Sequence, residues 1–137
     1  MPRIDLIYDF TQIDTDRLCS AIRNEYWGQN LSENQIYESF RHSSSVCAVI
    51  AGQAVGFTRA VSDRVTCAYI KDFLVYPEYR GQGIGKHLMR GLLEHPELVN
   101  VTSWYLGTKD AHSFYEPFGF KTAPDGIYMY LHLACPE

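Results

Sequence analysis

The stretch with the clearest chemical meaning is Val75-Tyr76-Pro77-Glu78-Tyr79-Arg80-Gly81-Gln82-Gly83-Ile84-Gly85-Lys86. Glycines at 81, 83 and 85 precede an apolar repeat of four, Ile84, Leu88 and Leu92, which marks a helix. The first N–H groups of a helix have no intrahelical acceptor, and the aligned peptide dipoles place partial positive charge there. Glycines let such a backbone approach a phosphate closely. Arg80 and Lys86 add a cation at either end. The pattern predicts an anion site where a strand turns into a helix.

Two familiar phosphate loops do not fit. The dinucleotide fingerprint G-x-G-x-x-G needs glycine where Lys86 stands. The Walker loop needs glycine at position 80, which is Arg, and Ser or Thr at position 87, which is His. What remains is R-G-x-G-x-G preceded by V-x-P-x-Y.

The elements that must position this turn are legible around it. Ile4, Leu6 and Tyr8 alternate with polar residues and predict a strand. Asp14 or Thr15 caps a helix running toward Tyr26, and Ser32 with Gln35 forms a capping box for a second helix over 33–41. Strands follow over 46–50, 55–61 and 66–75, joined by tight turns into an antiparallel meander. After the helix that starts at Gly83, alternation over 99–106 predicts another strand. A short helix follows from Asp110 through Tyr115, and the last strands fall at 118–121 and 127–133. The result is a mixed α/β layered domain. No linker, repeat or low-complexity segment divides it, so one domain is expected over 1–137.

Composition excludes several classes. A net charge of −4 lacks the basic footprint of non-specific nucleic-acid binding. The chain shows neither a signal-type h-region nor an apolar run of membrane-span length, which leads to the expectation of a cytoplasmic protein with no membrane partner. Cys19, Cys47, Cys67 and Cys135 form no C-x-x-C pair and no zinc spacing, so free thiols in a reducing compartment and no metal site are expected.

The stretch from Phe73 to Met89 strongly resembles the acyl-CoA pyrophosphate loop of the GNAT superfamily of N-acyltransferases. Downstream, Ala111-His112-Ser113-Phe114-Tyr115-Glu116-Pro117-Phe118-Gly119-Phe120 is similar to that family's A-x-x-x-Y-x-x-x-G-F element. By element order the resemblance extends over residues 46–133. Two departures stand out. Thr108 occupies the position where the family often carries Asn, and Pro117 removes an N–H, so the helix should end by Glu116.

The resemblance implies a central mixed sheet of about six or seven strands flanked by about four helices. It implies acetyl-CoA as co-substrate, held by Phe73, Leu74, Val75, Arg80, Gly81, Gln82, Gly83, Ile84, Gly85, Lys86, Thr108 and Tyr115. The pantetheine arm should lie between the strands ending at Val75 and Leu106. The acceptor is expected to be a small-molecule primary amine that attacks the thioester in a ternary complex. A backbone N–H near Leu74 or Val75 meets the oxyanion, and Tyr115 serves the leaving thiolate.

Asp72 stands in an otherwise apolar strand. The resemblance makes it a candidate to bind the amine or take its proton; equally, it can face solvent or pair with Lys71 or an arginine. Tyr26 and Trp27 either line the acceptor pocket or close the core behind the first helix. His112 shares a helical face with Tyr115, as a base or as a surface histidine. A homodimer is compatible with all of this. A non-catalytic CoA-binding sensor and an enzyme acting on protein lysines or N-termini are the rival functions.

Overall fold

The computed structural model describes residues 2–133. Backbone contacts gather them into two compact units, the first reaching Leu106 and the second starting at Gly107.

In the first unit the chain runs through β1 (Asp5–Ile7), α1 (Thr15–Arg23), α2 (Glu33–Arg41), β2 (Ser44–Ile50), β3 (Gln53–Ser62), β4 (Cys67–Val75), α3 (Ile84–Leu93) and β5 (Ser103–Tyr105). The helix starts follow from local side-chain chemistry. Asp14 accepts from the Arg17 N–H, and Ser32 and Gln35 satisfy each other's backbone donors in the expected capping box. The strands form one sheet in the order β1-β2-β3-β4-β5. Neighbours are antiparallel up to β4; short turns join β2 to β3 and β3 to β4, while α1 and α2 lie between β1 and β2. β5 is parallel to β4, because α3 carries the chain back across the sheet between them.

Each face of the sheet is covered. Leu18 and Ile22 of α1 and Ile36 and Phe40 of α2 pack with Cys47, Phe57, Leu74 and Tyr76 in one core cluster. On the other face α3 lies against β2 and β3, burying Ile84, Leu88, Met89 and Leu92 completely or nearly so. Contact there is close: a β-carbon added at Gly56 would sit 2.9 Å from the Leu74 carbonyl oxygen and 3.2 Å from Leu88.

Two irregularities shape the centre of the sheet. Phe57 pairs with Leu74 and Arg59 with Lys71, so β4 spends one residue more than β3 over the same span. That is a β-bulge at Asp72 and Phe73. Also, the last β4–β5 pair is Tyr69 with Tyr105, whereas β4 continues to Val75. β5 ends at that row, and β4 runs on past it.

In the second unit α4 (His112–Tyr115) passes into a 3-10 turn over Glu116–Phe118. The helix does end before Pro117, as the missing N–H requires. The strands expected at 118–121 and 127–133 are not formed, and among the described residues the sheet has five strands rather than six or seven. Gly119 is left-handed at φ 99°, which stops an extended run at Phe118. From Ile127 to Leu133 the alternation is present, yet Met129, Leu131 and Leu133 are exposed. Alternation encodes two faces; a strand also needs a ladder partner. Cys19 and Cys47 are buried thiols, Cys67 is an exposed one, and Cys135 lies outside the described residues. No described helix is long and apolar enough to cross a membrane.

The Gly56 contact sets a test of this packing. Gly56→Ala should lower stability by about 1–3 kcal/mol, because the new methyl meets backbone that cannot rotate away. Urea unfolding of parent and variant measures it, and an unchanged midpoint would mean that β3 and β4 are less tightly apposed.

Candidate active site

The glycine-rich turn is built as the sequence predicts. β4 ends at Val75, a 3-10 turn spans Pro77–Tyr79, and α3 begins at Ile84 with Gly83 as its N-cap. Gly81 and Gly83 both have φ 80°, in the left-handed region that favours glycine. A β-carbon at either would meet nothing within 4 Å, so these glycines serve conformation and leave an open surface. Gly83 supplies no side-chain cap, and the first helical backbone bond is the His87 N–H to the Gly83 carbonyl. The N–H groups of Ile84, Gly85 and Lys86 are thus left without an intrahelical acceptor. An anion fits that arrangement.

The approach to the turn is braced from α1. The Arg17 guanidinium lies 4.2 Å over the Tyr76 ring and donates to Ala54 O at 3.1 Å and Glu78 Oε1 at 2.6 Å. The Tyr76 N–H in turn donates to Val55 O at 2.9 Å, and burial pushes the Tyr76 phenol up to about 12. Arg80 folds back on the end of β4, its Nε donating to Val75 O at 3.1 Å. Lys86 is exposed beside the helix start.

Asp72 sits on the bulge with φ 54°, an uncommon conformation for a residue with a β-carbon. Its Oδ2 accepts from Arg59 Nε at 2.6 Å, with the two side chains 10% and 9% exposed. Of the alternatives open in the sequence, the arginine partner is thus present. Such a backbone conformation costs about 1–3 kcal/mol. Losing Arg59 would leave the Asp72 carboxylate buried without its ion partner, so the pair keeps that side chain in place at the bulge. Thr58 supports the same point from β3, its Oγ1 donating to Lys71 O at 3.2 Å.

The bulge changes which face β4 presents. Before it, Ile70 pairs with Ala60; after it, Leu74 pairs with Phe57 and joins the core under α1 and α2. Without the extra residue, positions 70 and 74 would share a face. Asp72 is turned to the α1–α2 face with Arg59. Farther along β3 and β4, Val61 pairs with Tyr69, which pairs with Tyr105 of β5. These three are 46%, 45% and 40% exposed and form an apolar row on one face of the sheet.

Tyr26 and Trp27 lie in the turn after α1 and are 66% and 38% exposed, so they do not close the core. Thr108 and Tyr115 belong to the second unit. Thr108 Oγ1 accepts from the Ala111 N–H at 3.0 Å, which sets the start of α4. The Tyr115 ring packs edge-on against Phe114 and Phe120, and burial pushes its phenol up, so it stays protonated past the usual tyrosine range. His112 is exposed on α4. Among the described residues no group of three His, Cys, Asp or Glu could hold a metal ion.

Sequence reasoning missed Arg59. The signal was available: Arg59 is the one charge in its apolar stretch and Asp72 the one acid in its own, in two strands read as neighbours, and cross-strand pairing satisfies both.

Past its last pairing with β5, β4 runs through the bulge at Asp72 and Phe73 into a helix start that no side chain caps. The family model for acetyltransferases of the GNAT type matches residues 10–120, and the chain belongs to that family. It is 32% identical over 114 residues to a Glycine max protein named histone acetyltransferase TAP1, covering 81% of this chain and 46% of that one. The chain spans about half the length of the curated relatives it matches. Among solved structures, a Xanthomonas campestris protein assigned to the same family superposes with a TM-score of 0.89 at 29% identity, over 97% of this chain and 95% of that one. An aminoglycoside N-acetyltransferase crystallised with CoA shares the fold, with a TM-score of 0.73 at 14% identity over 97% of each chain.

Gly83→Asp tests the anion site, since it sets a carboxylate where an incoming phosphate meets the N–H groups of α3. Acetyl-CoA affinity by calorimetry should fall at least about tenfold, the equivalent of ~1.4 kcal/mol. Undiminished affinity in a folded variant would remove the turn from the site.

Proposed function

We propose that the chain transfers the acetyl group of acetyl-CoA to a primary amine of a small acceptor, by direct attack in a ternary complex. The observation that carries this is that β4 continues past its last pairing with β5 into the open helix start of α3. That stretch of β4 suits the pantetheine arm, whose amides can pair with it as an added strand would. The turn suits the pyrophosphate, with Arg80 and Lys86 nearby.

An amine attacks a thioester only as the neutral base, so its proton must leave before or during attack. Asp72 is assigned to hold the acceptor ammonium and to take that proton, directly or through water. Arg59 occupies its Oδ2, which leaves Oδ1 for the acceptor. The collapsing oxyanion is met by a backbone N–H at Leu74 or Val75, just past the bulge; a preorganised donor of this kind is worth several kcal/mol. The carbon–sulfur bond then breaks, and Tyr115 gives its proton to the departing thiolate. Its raised phenol favours the protonated form that this role needs.

The acceptor is assigned as small because the Asp72 side chain is only 10% exposed, which suits a slender amine. Tyr26 and Trp27, exposed after α1, and the Val61–Tyr69–Tyr105 row are the apolar surfaces proposed to meet its body. A protein lysine is the second reading, favoured by the name of the Glycine max relative. Released thiol measured with a library of small amines and lysine peptides separates the two.

Two substitutions test the chemistry. Asp72→Asn should lower turnover by roughly 10²–10⁴-fold with acetyl-CoA binding nearly intact, and the loss should shrink at high pH as more amine is already neutral. Full activity at pH 7 would move the base elsewhere. Tyr115→Phe should slow the reaction without abolishing it and erase the alkaline limb of the rate profile, which marks ionisation of the phenol. Identical profiles for parent and variant would leave Tyr115 a packing residue.

A further inference from the structure

Arg59 makes two directed contacts from a site where its side chain is nine-tenths buried. Its Nε donates to Asp72 Oδ2 at 2.6 Å and its Nη1 donates to Ser43 Oγ at 2.9 Å. Ser43 Oγ donates in turn to Ser39 O at 2.6 Å, in the last turn of α2. The guanidinium carbon also lies 5.7 Å from the centre of the Phe40 ring. A continuous chain of contacts therefore runs from α2 through Ser43 and Arg59 to the carboxylate at the bulge. Asp72 Oδ1 has no hydrogen-bond partner among the described residues.

We infer that Arg59 is a positioning residue for acetyl transfer: gripped by Ser43, it fixes the Asp72 carboxylate and with it the bulge that sets the course of β4 through Leu74 and Val75, one of whose N–H groups is to meet the oxyanion. Two consequences follow from one contact. Holding Oδ2 turns the other carboxylate oxygen to the acceptor side. Holding Asp72 at φ 54° keeps the extra residue in β4 and so keeps Leu74 on the α1–α2 face. Lysine cannot replace it in full, because a single ammonium lacks the planar fork that reaches Asp72 and Ser43 together. The catalytic consequence rests on the acetyltransfer reading; the structural half rests on geometry alone.

The test uses the full chain as parent, Arg59→Met, Arg59→Lys, Asp72→Asn and the double variant Arg59→Met/Asp72→Asn. Amide NMR without any ligand comes first. The 72–75 amides should shift in Arg59→Met, and unmoved signals there would overturn the inference whatever the activity. Turnover with the best amine should then fall roughly 10–100-fold in Arg59→Met, with acetyl-CoA affinity within about twofold of the parent. Arg59→Lys should recover part of the loss. Removing Arg59 should cost the Asp72→Asn variant less than it costs the parent, because Arg59 acts through residue 72 and Asn keeps an acceptor for it; losses that multiply in full would overturn the inference. If Arg59→Met fails to fold, the double variant leaves no unpaired buried charge, and its comparison with Asp72→Asn and Arg59→Lys decides. A parent that binds acetyl-CoA and acetylates no amine overturns the acetyltransfer reading instead, and the ligand-free amide shifts still decide what Arg59 does.

Discussion

The structure depends on one extra residue in β4 and on the ion pair that keeps it there. A strand alternates faces with period two, so an insertion reverses every side chain beyond it. Ile70 and Leu74 therefore lie on opposite faces of the sheet, and Leu74 and Tyr76 complete the core under α1 and α2. The price is a residue in the left-handed region, and a buried guanidinium contact at 2.6 Å holds its side chain. Packing and strand course thus meet at Arg59 and Asp72, where the acceptor site is proposed.

The second constraint is electrical. α3 starts with a glycine that offers no capping side chain, so its first donors have no intrahelical acceptor. At φ 80° that position suits glycine, and a serine or aspartate there would be strained and would compete for the same donors. Arg17, stacked on Tyr76 and bonded to Glu78, ties this turn to α1, so the two faces of the sheet are mechanically linked near the site.

Most of the first unit was legible in the sequence because its signals are local. The Ser32–Gln35 box, the Ala51-Gly52 turn and the four-residue repeat of α3 each specify an element without reference to the rest of the chain. The glycine turn was legible for the same reason. What was not legible depends on partners distant in sequence. Residues 127–133 alternate as a strand should, but alternation does not name a ladder partner, and the described chain forms no strand there. The bulge was hidden because Asp72 and Phe73 look like two ordinary strand positions until the register with Phe57 and Arg59 is known. An arginine was open as a partner of Asp72, but which arginine depended on a register that the sequence does not print. Both charges in fact answer the same physical demand, that a buried ion be paired.

The most direct measurement is a crystal structure with a thioether analogue of acetyl-CoA that cannot transfer its acyl group. The account predicts pyrophosphate oxygens within hydrogen-bond distance of the Ile84, Gly85 and Lys86 N–H groups, a pantetheine arm along β4 past the Tyr69–Tyr105 pair, and the acyl oxygen facing the Leu74 or Val75 N–H. An analogue seated elsewhere, with the α3 start and the β4 edge untouched, would contradict it.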